Sequence, residues 1–96
     1  MASGTIKRHG FGNPGNVTFP FTATKDGFVI AVCTPANSSN VSYVYVTEDG
    51  AAHARFYGMS NQQGTLVFPV KVGRTYAEAT ASNITYNNGI RLYPLE

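Results

Sequence analysis

Phe19-Pro-Phe-Thr-Ala-Thr-Lys-Asp-Gly-Phe-Val-Ile-Ala-Val-Cys33 contains two apolar runs separated by Lys25-Asp26-Gly27. Asp-Gly between apolar runs is a turn signal, because glycine takes positive φ without the penalty a Cβ brings. The stretch therefore predicts a strand, a tight turn at Asp26-Gly27 and a second strand. Before the turn, Val17, Phe19 and Phe21 alternate with Thr18, Pro20 and Thr22, so one face is apolar and the other polar. Pro20 has no N–H to give a ladder and marks an edge or a bulge. After the turn, Phe28 to Cys33 is apolar on both faces. Such a strand is covered twice, once by an opposing sheet and once by a neighbour, a loop or another subunit.

The same grammar continues on both sides. Thr5 to His9 reads as a short edge strand and Gly10 to Asn16 as a loop. Thr34 to Asn40 reads as another loop. Val41, Tyr43 and Tyr45 alternate with Val44 and Val46, and Asp49-Gly50 then turns the chain into Ala51–Tyr57 as hairpin partner. Leu66, Phe68 and Val70 share a face of the next strand. Val72-Gly73 is a turn, and Arg74–Thr80 reads as a strand despite its alanines. Asn88-Gly89 is a further turn before Ile90–Pro94. About eight short strands, turns between them and no helical period point to an all-β fold. The class is an antiparallel β-sandwich, jelly-roll-like, spanning residues 1–96 as one domain.

Composition narrows the function classes. Charged residues make up 12% of the 96 and hydrophobic residues 43%, against about 25% charged in an ordinary domain. A surface of Ser, Thr, Asn, Gln, Gly and Tyr suits β proteins, carbohydrate-facing surfaces and subunit contacts alike. A chain this short buries only about 60–68% of its unfolded surface, which favours help from partners. The net charge of +2 comes from dispersed basic residues, Lys7-Arg8 excepted, and gives no nucleic-acid face. Cys33 is the single cysteine and reads as a buried small hydrophobe. No apolar run reaches membrane-spanning length, and Lys7-Arg8-His9 leads into glycines instead of a signal-peptide core. Met1-Ala2-Ser3 and Leu95-Glu96 read as cloning remnants.

Candidate chemistry is sparse. Asp26 and Asp49 have structural reasons to sit in Asp-Gly turns, and no catalytic, metal or cofactor constellation emerges. The sequons at Asn16, Asn37, Asn40 and Asn83 read as turn asparagines. Tyr43, Tyr45 and Tyr57 with His53 and Arg55 form the one candidate ligand-binding or interface group. Exposed aromatics beside basic residues can stack on RNA bases or on sugar rings, and Tyr and Arg are enriched in interfaces. The structural turns are Asp26, Gly27, Asp49, Gly50, Asn88 and Gly89.

Phe19–Val29 also resembles the "F-T-A-P-x-D-G-Y-V" opening of small β domains in bacteriophage tail-fibre and baseplate proteins. Phe68-Pro69-Val70-Lys71-Val72-Gly73-Arg74-Thr75-Tyr76 is similar to their Val-Pro-Val-Lys-x-Gly-x-Thr-Tyr segment, and Leu92-Tyr93-Pro94-Leu95 to their usual ending. The resemblance covers most of the chain from residue 17 and includes no catalytic signature. It implies a jelly-roll-like sandwich, similar in outline to tumour-necrosis-factor and complement-globular-head domains, which commonly form trimers. It further implies a non-enzymatic phage or prophage module: a homotrimeric tail-fibre head recognising a bacterial surface polysaccharide. Its place would be the virion, on tail or capsid surface, after synthesis in the bacterial cytoplasm. A free-standing lectin-like module and a small capsid-decoration protein are the alternatives. In contrast with such tips, which sit on long shafts, this chain begins almost at the domain.

Overall fold

The computed structural model describes residues 12–36, 42–59 and 62–95. Eight strands form two antiparallel sheets. They are β1 (Gly15–Val17), β2 (Phe21–Thr22), β3 (Gly27–Pro35), β4 (Ser42–Glu48), β5 (Ala51–Gly58), β6 (Gly64–Val70), β7 (Thr75–Ser82) and β8 (Ile84–Pro94). One sheet has the order β1-β8-β3-β6 and the other β2-β7-β4-β5. Every connection except β4–β5 therefore passes from one sheet to the other. That interleaving is the jelly roll, two sheets wound together by crossing connections.

Alternation explains which side chains meet. Val29, Ala31 and Cys33 of β3, Leu66, Phe68 and Val70 of β6, and Val44 and Val46 of β4 are buried between the sheets. Tyr76 and Ile90 join them, and Phe19, Phe21 and Tyr86 pack against this core. An aromatic column runs through the middle, with Phe19 6.3 Å from Phe68, Phe68 5.8 Å from Tyr76 and Tyr76 5.5 Å from Phe21 between ring centroids. Cys33 lies fully within the core. Burial pushes its thiol up to about 11, as expected of a small hydrophobe with a weak donor.

Several expectations change. Val17, Phe19 and Phe21 do face the core, but not from one strand. The chain breaks around Pro20, leaving β1 in one sheet and β2 in the other. Gly15 and Asn16 belong to β1, not to a loop, so the Asn16 sequon sits on a strand. Thr34 and Pro35 extend β3. Residues 82 and 84 end β7 and begin β8, with Asn83 between them at φ 56° as a turn asparagine. The Thr5–His9 strand, His9, Asn37 and Asn40 lie outside the described residues.

The largest correction concerns Asp26-Gly27. The strands it joins, β2 and β3, lie in opposite sheets, so it is a crossing and not a hairpin turn. Gly27 does not have positive φ; only Gly50, Gly73 and Gly89 do among the described glycines. Glycine is required there by proximity. A Cβ on Gly27 would lie 2.3 Å from the Tyr93 carbonyl oxygen and 2.9 Å from Pro94 Cα. Asp26 ties the crossing down. Its Oδ1 accepts the Val72 N–H at 2.9 Å, and its carbonyl accepts the Leu95 N–H at 2.8 Å.

Asp49-Gly50 behaves as expected. Both residues have positive φ, 49° and 88°, and Glu48 pairs with Ala51 across a two-residue loop. That is the I′ geometry, which matches strand twist. Asn88-Gly89 carries the same signature, φ 62° and 78°, but lies inside β8. Ile30 pairs with Arg91 and Val32 with Asn87, so Asn88, Gly89 and Ile90 stand opposite Ala31 alone. It is a bulge, not a turn between strands.

Candidate functional site

The outward face of the β2-β7-β4-β5 sheet displays the tyrosines. Inward Val44 and Val46 put Tyr43 and Tyr45 on the opposite side by the two-residue period of a strand. Tyr57 stands opposite Tyr43, and Arg55 opposite Tyr45. The three rings form one cluster: centroids are 5.3 Å apart for Tyr43–Tyr45, 6.3 Å for Tyr43–Tyr57 and 5.8 Å for Tyr45–Tyr57. The last pair meets edge-on at 74°, a favoured arrangement of ring quadrupoles. The Tyr45 and Tyr57 hydroxyls share a hydrogen bond. That bond, followed by desolvation, raises the Tyr45 pKa. The Arg55 guanidinium lies 5.6 Å from the Tyr57 ring centroid, within cation–π range. Tyr57 is 52% exposed, so a large part of this platform faces solvent.

Beside the cluster two bulges converge on one point of β4. His53 is the extra residue of β5 between the Val46–Ala54 and Thr47–Ala52 pairs. Ala79 is the extra residue of β7 between the Tyr45–Thr80 and Val46–Glu78 pairs. Bulges bend strands and re-aim side chains. Here they accompany an open depression of about 540 Å³, lined among others by Tyr45, Thr47, Ala52, His53, Arg55 and Ala79. Small alanine side chains leave space between the tyrosine platform and the Asp49-Gly50 turn.

The bulge also turns His53 away from the tyrosine rings, leaving it at the border of the depression. Its Nε2–H donates to the Pro69 carbonyl at 2.7 Å, and its ring lies 5.6 Å from Phe68 and 5.4 Å from Tyr76. Pro69 belongs to β6 of the other sheet, so His53 links two edge strands across the open side of the sandwich. Simple alternation from Arg55 and Tyr57 placed it beside them, and the extra residue changed that parity. Tyr43, Tyr45, Arg55 and Tyr57 are thus together in one cluster, and His53, turned out of that cluster, borders the depression with Tyr45 and Arg55.

Sequence alone does not mark Thr47, Ala52 and Ala79 as residues of the site. Alanine in a strand carries no chemical signal, and nothing in Glu78-Ala79-Thr80 announces a bulge. The turn residues lie apart from the platform, except that Gly50 borders the depression. The carboxylates are occupied elsewhere. Glu48 accepts the Tyr76 hydroxyl at 2.6 Å, and Glu78 accepts the Tyr86 hydroxyl. Asp49 accepts the Thr75 N–H at 2.9 Å and pairs with Arg74 at 3.0 Å; these two contacts, in that order, hold its carboxyl below the usual range. Among the described residues no group of three His, Cys, Asp or Glu side chains gathers to hold a metal ion.

The other sheet has a contrasting outward face. Phe28, Ile30 and Val32 of β3 alternate with buried neighbours, and Val67 of β6 pairs with Ile30. Val67 is 51% exposed and Phe28 36%. Tyr93 of β8 and Pro69 of β6 flank Phe28. Part of the apolar surplus of β3 read from the sequence is therefore solvent-accessible, Phe28 at 36%. Models of protein families, curated proteins and solved structures yield no match to this chain.

Proposed function

We propose that this protein is a non-enzymatic phage or prophage adhesion module, a homotrimeric tail-fibre-type head that recognises a bacterial surface glycan through Tyr43, Tyr45, Arg55 and Tyr57. The observation that carries the reading is the solvent-facing tyrosine cluster next to a depression floored by small side chains. Sugar rings present C–H faces that stack on aromatic rings, and their hydroxyls pair with phenol and guanidinium groups. The jelly roll supports the reading because it is also the fold implied by the turn-and-strand resemblance of Phe19–Val29 and Phe68–Tyr76. The Phe28, Ile30, Val32 and Val67 face supports self-association, since exposed apolar patches rimmed by polar residues mark interaction surfaces. Ligand and subunit contacts would then use opposite sheets.

The test combines solution mass with a bacterial glycan array. The expected result is a trimeric mass and binding to a restricted set of bacterial saccharides, lost in the Tyr45→Ala, Tyr57→Ala double variant. A monomer at high micromolar concentration refutes the trimer. Absence of glycan binding combined with binding to phage capsids turns the assignment to capsid decoration.

A further inference from the structure

The tyrosine face has one more property, its charge. Of the residues lining the depression, Arg55 is the one guanidinium or ammonium, no carboxylate is among them, and the ring of His53, also at the lining, is hydrogen-bonded to the Pro69 carbonyl. The described carboxylates are directed elsewhere: Asp26 to the Val72 N–H, Glu48 to Tyr76, Asp49 to Thr75 and Arg74, and Glu78 to Tyr86. The single ion pair among the described residues is Arg74–Asp49. The guanidinium of Arg55 is thus a cation beside an open depression, with no described carboxylate against it.

Resting on the glycan reading of this face, we propose that the ligand is an anionic saccharide whose oxyanion is held by Arg55 while its sugar ring stacks on the tyrosines. Two observations and the chemistry of the guanidinium converge. Arg55 is placed over the Tyr57 ring, which limits where its planar fork can point. Tyr57 is itself held by the hydroxyl bond to Tyr45 and by edge contact with that ring. A planar guanidinium with several N–H groups can give two parallel hydrogen bonds to a carboxylate or phosphate, which a lysine ammonium does not reproduce. The hydroxyl pair adds neutral recognition: one phenol donates to the other, leaving one O–H donor and several lone pairs for sugar hydroxyls. Thr47 and the two alanines contribute no charge to oppose an anion. A uronic-acid carboxylate and a sugar phosphate share this chemistry.

The experiment titrates the whole protein, at low and at 0.5 M salt, with a short oligoglucuronate, its neutral oligoglucose counterpart and a phosphorylated oligosaccharide of the same length. The expected result is at least a tenfold tighter affinity for one or both anionic probes than for the neutral one. Salt should reduce that ratio, Arg55→Gln should bring it to about one, and Arg55→Lys should retain only part of it. The arm that binds more tightly identifies carboxylate or phosphate as the source. Equal affinity for all three probes in the parent protein overturns the proposal, as does a preference that survives Arg55→Gln. If the neutral probe binds and Tyr45→Ala, Tyr57→Ala abolishes that binding while no anionic preference exists, the glycan reading stands and the charge inference fails. Binding of no probe, and of no saccharide on the array, defeats both.

Discussion

Replacing Gly27 by alanine tests the crossing that organises the two sheets. The new Cβ would sit 2.3 Å from the Tyr93 carbonyl oxygen, about 1.1 Å short of ordinary contact at 3.4 Å. The obstacle is backbone, so no rotamer change relieves it. Either β3 or the end of β8 must move, in a region where Gly27 pairs with Pro94 and Phe28 with Tyr93. The Leu95 N–H to Asp26 carbonyl bond lies one residue away on both strands and is strained with them. Overpacking costs about 1–3 kcal/mol, and loss of one net hydrogen bond adds about 0.5–1.5 kcal/mol. Removal of glycine's freedom from the unfolded chain returns about 0.4–1 kcal/mol. The net is a destabilisation of about 2 kcal/mol, or roughly 8–16 °C in Tm for a domain of this size. Thermal unfolding followed by circular dichroism, at one fixed protein concentration, measures it. Asparagine separates the causes, because it tolerates positive φ but still carries a Cβ. Gly27→Asn should be as harmful as Gly27→Ala. At Gly50, where φ is +88° and a Cβ would meet nothing, Asn should be milder than Ala. A Gly27→Ala protein melting within about 2 °C of the parent, or a rescue by Gly27→Asn, refutes the close-approach argument.

Other outcomes follow from the same geometry. Tyr76→Phe leaves the Lys71 N–H, which the Tyr76 hydroxyl accepts at 2.7 Å, without that partner and should cost about 1–3 kcal/mol in urea unfolding. Burial, then the Glu48 bond, pushes the Tyr76 phenol up to about 12. Because the folded value lies above the ordinary value near 10, this contribution is complete below about pH 10 and fades as pH rises towards 12. Tyr76→Phe should remove that part of the alkaline loss in a pH series of melts. Asp49 has the opposite sign: its carboxyl is lowered, so its contribution is present above the ordinary value near 3.9 and is lost as pH falls through the folded value. Asp49→Asn keeps the positive-φ turn and should flatten the acid limb of the stability curve. Cys33 should not react with a thiol reagent at pH 8 in the native protein and should react fully in urea, since it is buried and its thiol is raised. Rapid native reaction would show that the core opens at β3.

The strands were legible because their period survives tertiary packing. Val44 and Val46 against Tyr43 and Tyr45, and Leu66, Phe68 and Val70 together, needed only alternation. Asp49-Gly50 was legible because a two-residue I′ turn is local chemistry. Sheet membership was not. A turn signal records that the chain changes direction, and cannot say whether the next strand lies alongside or on the opposing sheet. Asp26-Gly27 and the break at Pro20 are both sheet changes that look like a hairpin and an edge. Asn88-Gly89 shows the same limit, since two positive φ values serve a bulge as readily as a turn. At the site, Tyr43, Tyr45, Arg55 and Tyr57 followed from parity. The turn of His53 away from the rings did not, because one inserted residue reverses parity without leaving a compositional trace, and the converging bulge at Ala79 is equally silent.

Residue-resolved NMR titration of the isotopically labelled protein with the array's strongest oligosaccharide addresses the glycan reading most directly. Shifts concentrated at Tyr43, Tyr45, Arg55, Tyr57 and Thr47, with Phe28, Ile30 and Val67 unmoved, are the predicted result. Shifts confined to the Phe28–Val67 face, or no saturable shifts at all, would contradict it.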